Sequence, residues 1–170
     1  GGCNLLERSK DGQLVGHLTL GRGVLDSIRL HADPSTTRSL ILGTNLLARS
    51  LALELTLAGA PGITIVDPWD NQASVLAKAI NAVEGGNASA AENEVASANE
   101  DIGIVIAAED NRSAPDDFQL PEFREDLVVV DTSLDPKASA TLKAATNANS
   151  CRIDGLEVTA CIMAINFRNL

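Results

Sequence analysis

The residues best placed to do chemistry in this sequence gather at one turn and one strand end. Leu42-Gly43-Thr44-Asn45-Leu46 joins a short apolar run, 39–43, to a Leu- and Ala-rich helical pattern, 46–57. A strand that enters a helix through a glycine turn aims free N–H groups and the positive end of the helix dipole at an anion such as a phosphate. Asp67 closes the next apolar run, Ile63-Thr64-Ile65-Val66. An acid at such a strand end suits a ribose 2′-hydroxyl and repels a 2′-phosphate, or else Asp67-Pro68 simply starts the following helix. Trp69, the lone tryptophan, either lies over the same crevice or packs beside it. His17 and His31 have no sequence partner for metal binding or nucleophile activation and read as surface or helix-end histidines. Cys3, Cys151 and Cys161 are an odd number without a C-x-x-C pair, which argues against a disulfide framework or a zinc site and makes a reducing cytoplasm the default compartment.

A chain of 170 residues suits one domain with a core of its own. Apolar residues make up 45% and aromatic residues 2%, so the core is built from Leu, Ile, Val and Ala, as in a parallel sheet covered by helices. The net charge is −10, with 23 acids spread along the chain and no basic cluster to offset them. Such a surface repels phosphate backbones and anionic lipid, so nucleic acid and membrane are expected to be absent from its partners. No apolar run approaches the roughly 20 residues that a spanning helix needs. The initial Gly reads as the start of a cut-out piece.

The elements that must position the turn follow from periodicity. Asp11-Gly12 between short apolar segments predicts a hairpin, and Val24, Leu25, Ile28 and Leu30 predict a helix ending near Ala32-Asp33-Pro34. Strand 39–43, helix 46–57 and strand 63–67 make a βαβ unit. Helix 73–83, a buried strand at 102–107, a strand at 127–131, helix 138–148, a short strand at 151–154 and helix 156–167 complete the pattern. Residues 87–100 carry at most a short strand around Glu94-Val95-Ala96, and 109–122 read as a polar loop. Alternation of this kind predicts an α/β fold, a Rossmann-like doubly wound, mostly parallel sheet with helices on both faces in a single domain. Its ligand crevice is expected at the carboxyl ends of the strands, lined by the turns at Gly43, Asp67 and Ala107.

Gly1-Gly2-Cys3-Asn4-Leu5, Leu14-Val15-Gly16-His17-Leu18-Thr19-Leu20-Gly21-Arg22-Gly23, Leu42 to Ser50 and Cys151-Arg152-Ile153-Asp154-Gly155-Leu156-Glu157 occur in the order, and at the spacing, of the C-terminal nucleotide-binding domain of shikimate dehydrogenases. Asp135-Pro136 followed by Leu142-Lys143-Ala144-Ala145 matches a further stretch. The sequence resembles that family over nearly its whole length. The resemblance implies an enzyme that interconverts 3-dehydroshikimate and shikimate with NAD or NADP in aromatic amino-acid biosynthesis. It implies cofactor contacts at Gly43, Thr44, Asn45, Leu46, Asp67, Ala107 and Gly155, and substrate contacts at Asn4 and Thr19. It also implies an N-terminal substrate domain, carrying the catalytic lysine, that is absent here. Residues 1–33 then form a hairpin and helix linking to that domain, and 34–170 form the Rossmann-like core.

The site departs from the family pattern. Leu18 and Leu20 stand in place of an asparagine and the catalytic aspartate, Ile162 in place of a substrate-binding glutamine, and Val158 in place of a methionine near the nicotinamide. A leucine neither holds a proton nor orients a polar ring, so Leu18, Leu20 and Ile162 are expected to form an apolar lining beneath Asn4. Asn45 replaces the middle glycine that lets backbone approach a pyrophosphate, and Asp67 replaces a polar-basic strand end. Weak binding with NAD favoured is one expectation, and a tight turn without ligand is the other. Two functions follow. The chain is either the nucleotide-binding domain of a shikimate dehydrogenase-like protein with impaired or lost catalysis, or a non-catalytic domain serving assembly or stabilisation of a fused aromatic-pathway partner. Either reading admits a homo-oligomer.

Overall fold

The chain opens with a hairpin. In the computed structural model, which describes residues 2–67, 72–91, 101–108, 120–135 and 139–168, strands β1 (Leu5–Arg8) and β2 (Leu14–His17) pair antiparallel with Arg8 opposite Leu14. Helix α1 (Leu20–Ile28) follows at once and buries Val24, Leu25 and Ile28 completely. It stops short of the expected Ala32: the carbonyl of Ile28 accepts from both His31 and Ala32, tightening the end into turns, and Leu30 points outward at 70% exposure. An apolar residue in helical register was therefore no guide to the helix end.

The rest alternates: β3 (Arg38–Leu42), α2 (Leu46–Leu57), β4 (Ile63–Val66), α3 (Ala73–Asn81), β5 (Ala88–Ala90), β6 (Ile102–Ala107), β7 (Val128–Asp131), α4 (Ala140–Asn147), β8 (Cys151–Ile153) and α5 (Gly155–Arg168). The six later strands form one sheet in the order β5-β4-β3-β6-β7-β8, and all five pairings are parallel. Parallel strands covered on both faces read as continuous apolar runs, and β3, β6 and β7 do so. Ile41, Ile65, Ile104, Ile106 and Val130 meet α1, α2, α3 and α5 on one face, while Leu40, Leu42, Val66, Val105 and Val129 meet Ala145 of α4, Leu120 and Phe123 on the other. The sheet is thus Rossmann-like, with its order reversing between β3 and β6.

Strand β5 had no apolar run to announce it. It is a three-residue edge strand held by backbone: Ile63 lies opposite Ala88, and the Asn81 side chain brackets Ala88, accepting from its N–H at 2.7 Å and donating to its carbonyl at 2.8 Å. The strand expected at 94–96, Trp69, and most of the polar loop from 109 lie outside the described residues.

Candidate functional site

The reversal of strand order opens a crevice beyond the carboxyl ends of β3 and β6, the position at which open α/β sheets take ligands. Gly43 makes the first turn with φ of +106°, a conformation that side chains with a Cβ rarely adopt. Thr44 and Asp67 then join β3 to β4 side by side: the Thr44 hydroxyl donates to Asp67 Oδ2 at 2.8 Å, and the N–H of Gln72, just ahead of α3, donates to the same oxygen at 2.8 Å. Both are buried. Asp67, just past the end of β4, therefore prepares the start of α3. Arg49 Nε donates to the Thr44 carbonyl at 2.8 Å, fixing the turn from the helix side.

Asn45 is the N-cap of α2. Its Oδ1 accepts from the Ala48 N–H at 2.9 Å, and its Nδ2 donates across the crevice to the carbonyl of Ala108, just past β6. Leu46 is 44% exposed, and its side chain covers Gly2. Ala107 ends β6, and its carbonyl accepts from the Thr132 N–H and hydroxyl, each at 3.3 Å. Gly155 begins α5 so close to the chain leaving β7 that a Cβ would lie 2.3 Å from the Ser133 carbonyl oxygen; its lack of a side chain serves that approach.

A second polar cluster sits at the start of α1. Asn4 Oδ1 accepts from the Thr19 N–H at 2.7 Å, Asn4 Nδ2 donates to the Thr19 hydroxyl at 2.8 Å, and that hydroxyl donates to Asn166 Oδ1 at 2.7 Å. Thr19 is the N-cap of α1, yet its hydroxyl makes no capping bond. It links Asn4 to α5 instead. The two residues assigned to substrate are thus brought together, with Asn166 as a third member that sequence reasoning missed. The only signal for it was its place one turn beyond Ile162 on the same helix.

The apolar lining expected beneath Asn4 does not form as a sealed layer. Leu18 and Leu20 are half-buried, and Leu20 opens α1. Ile162 is directed at Gly23, where a Cβ would lie 2.2 Å from its Cγ1. The absence of a Cβ at Gly23 lets α5 settle on α1, so Ile162 belongs to that helix interface.

A second strand-end acid, Asp131, is buried at the end of β7 and accepts from the Ser133 N–H at 2.8 Å and from the hydroxyl of Ser139, the N-cap of α4. Like Asp67, it is engaged in starting the next helix. The histidines pair with acids, His17 with Glu7 and His31 with Glu157, each at 2.9 Å. Among the described residues no group of three or more His, Cys, Asp or Glu is placed to hold a metal ion, and no helix is long and apolar enough to cross a membrane.

All three cysteines are free thiols. Cys3 is exposed, whereas burial, and then the Glu157 carboxylate, push the thiols of Cys151 and Cys161 above the ordinary range. A raised pKa leaves less thiolate at a given pH, and thiolate is the reacting form. Iodoacetamide at pH 8 is therefore expected to modify Cys3 first, read by mass mapping over time; equal rates at the three positions would contradict this burial.

Parallel strand order, a glycine turn into α2 and an acid at the next strand end define a Rossmann-like domain. No protein-family model matches the chain. A curated shikimate dehydrogenase (NADP(+)) from Methanopyrus kandleri is 27% identical over 166 residues, covering 92% of this chain and 57% of the relative. Among solved structures, the ligand-free 5-ketofructose reductase of Gluconobacter sp. strain CHM43 superposes with a TM-score of 0.82 at 29% identity, covering 96% of this chain and 60% of that one. Shikimate 5-dehydrogenase from Listeria monocytogenes, in complex with shikimate and NAD, gives 0.81 at 21% identity, covering 96% and 61%. The chain is similar to shikimate dehydrogenases and matches the C-terminal part of their length. It spans less than two thirds of each of these relatives.

Proposed function

We propose that this chain is the nucleotide-binding part of a longer shikimate dehydrogenase-like protein, in which it holds NAD weakly and has lost most or all of the family's catalysis. Residues 1–33 would link to a substrate domain and 34–170 would form the cofactor domain. The observation that carries the reading is the Asn4–Thr19–Asn166 cluster beside Leu20: three side chains that can bind a hydroxyl or carbonyl stand where the adjoining residue offers no proton. A bound nicotinamide would supply or accept hydride. The chain's own residues supply binding and orientation alone. Likeness to a 5-ketofructose reductase as well as to shikimate dehydrogenases widens the candidate substrates to hydroxylated ketones other than 3-dehydroshikimate.

The cofactor preference rests on Asp67. Its carboxylate, buried at the end of β4, would repel a 2′-phosphate, while its hydrogen bonds to Thr44 and Gln72 compete with a ribose hydroxyl. Calorimetric titration of the 170-residue chain at millimolar cofactor is expected to show weak NAD binding and still weaker NADP binding. Tight NADP binding would overturn this account of the crevice.

The other reading, a non-catalytic domain that assembles with or stabilises a fused aromatic-pathway partner or a second copy, is favoured by α5. Its outer face exposes Leu156, Met163 and Phe167 at 60%, 55% and 74%, an apolar stripe at helical spacing. The net charge of −10 argues against nucleic acid as that partner, and placement in the cytoplasm belongs to the same proposal.

A further inference from the structure

In a dinucleotide site the strand-to-helix turn presents N–H groups to a diphosphate lying between the two central strands. Here that space holds a side chain. Asn45 accepts from the third N–H of α2, that of Ala48, and donates to the carbonyl of Ala108 on the far side of the strand reversal. One carboxamide thereby satisfies a helix-end donor and ties β3 to β6 across the crevice. The N–H groups of Leu46 and Leu47, the first two of the helix, meet no acceptor among the described residues. The means of holding an anion persist behind the amide.

The backbone at Asn45 is ordinary. Its φ of −63° and ψ of −179° are extended values that any residue adopts. Any obstruction at this position comes from the side chain itself, because the turn's one unusual conformation is taken by Gly43.

We infer that the Asn45 carboxamide is an internal occupant of the diphosphate notch, so that a dinucleotide enters only when this side chain swings out of its bonds to Ala48 and Ala108. The inference rests on the reading that the crevice is a nucleotide site and adds what sets its affinity. Weak binding follows because the ligand must displace two satisfied hydrogen bonds before it makes its own. The chemical class admitted is a nucleotide whose phosphates reach the amino end of α2.

Asn45→Gly removes the occupant and its Cβ, and glycine is itself a tolerated N-cap. Asn45→Ala removes the amide and keeps the Cβ. Wild type and both variants, each checked for a cooperative melt, are titrated calorimetrically with NAD and separately with inorganic pyrophosphate. The expected result is at least tenfold tighter binding of both probes by Asn45→Gly and an intermediate gain for Asn45→Ala. Measurable NAD binding of equal affinity by folded wild type and Asn45→Gly would overturn the inference while leaving the nucleotide reading intact. A gain for pyrophosphate without NAD binding by any form would support the occupied notch and count against the nucleotide reading. No gain with either probe would overturn the inference.

Discussion

In a polypeptide joining this chain to a substrate domain, Leu20→Asp is expected to raise turnover of shikimate with NAD about a hundredfold or more, since general acid–base help contributes roughly 10²–10⁴. Leu20 is the first residue of α1, directly after Thr19, and only half-buried, so the site can take a carboxylate without opening the core. The first turn of α1 holds no acid. A carboxylate there also meets the positive helix end, a favourable term of about 0.3–1 kcal/mol. The gain should therefore appear in a folded protein. Ile162→Gln is expected to add little, because position 162 faces Gly23 inside the α1–α5 contact and a glutamine there would place its amide between helices. Initial rates with NAD and NADP on both forms check the prediction. Robust turnover by the unmodified protein, lost when this chain is deleted, would refute the loss of catalysis; a folded Leu20→Asp with an unchanged rate would place the proton donor elsewhere.

The largest expected stability effect lies one residue further along. A Cβ on Gly21 would sit 2.3 Å from the carbonyl carbon of Ser50 and 2.4 Å from the Leu51 nitrogen, where α1 and α2 approach backbone to backbone and the Gly21 N–H donates to Ser50 Oγ at 3.1 Å. No rotamer can relieve a clash with main chain. Gly21→Ala should thus reach or exceed the upper end of overpacking costs, about 3 kcal/mol. That corresponds to a fall of about 6–12 °C in Tm for a domain of this size. Gly59→Ala is the contrast: φ is +82° but nothing lies within 4 Å, so only the left-handed strain of about 1–2 kcal/mol applies. Thermal unfolding followed by circular dichroism decides, and a Gly21→Ala melt within about 2 °C of the parent, less than 1 kcal/mol costs at this size, would contradict the close crossing.

The sheet was legible because a parallel strand buried on both faces must be apolar along its length, and Ile102–Ala107 and Val128–Asp131 carry that constraint openly. The edge strand Ala88–Ala90 was not legible, since backbone pairing and the Asn81 amide hold it without apolar side chains. At the candidate site, residue types carried the expected departures from the family pattern but not where those side chains point. Leu20 and Ile162 look alike as aliphatic residues in polar positions. One opens a helix beside Thr19, and the other packs against Gly23, because a glycine on a neighbouring helix decides which way α5 settles. Asn166 was hidden for a related reason: its partner lies 147 positions away, and no local pattern carries a contact at that distance.

That separation also shapes how the protein comes into being. Helix α1 comes early among the described elements, and α5, which covers one side of it where Ile162 meets Gly23, comes after all of the sheet strands. A ribosome extends a chain at roughly 5–20 residues per second, so the α5-facing side of α1 waits on the order of ten seconds for its cover during synthesis. Through that interval the nascent chain can assemble its hairpin and most of its sheet but cannot close. A message truncated just before α5 would yield a chain whose α1 keeps an uncovered apolar side where Val158 and Ile162 pack in the folded protein.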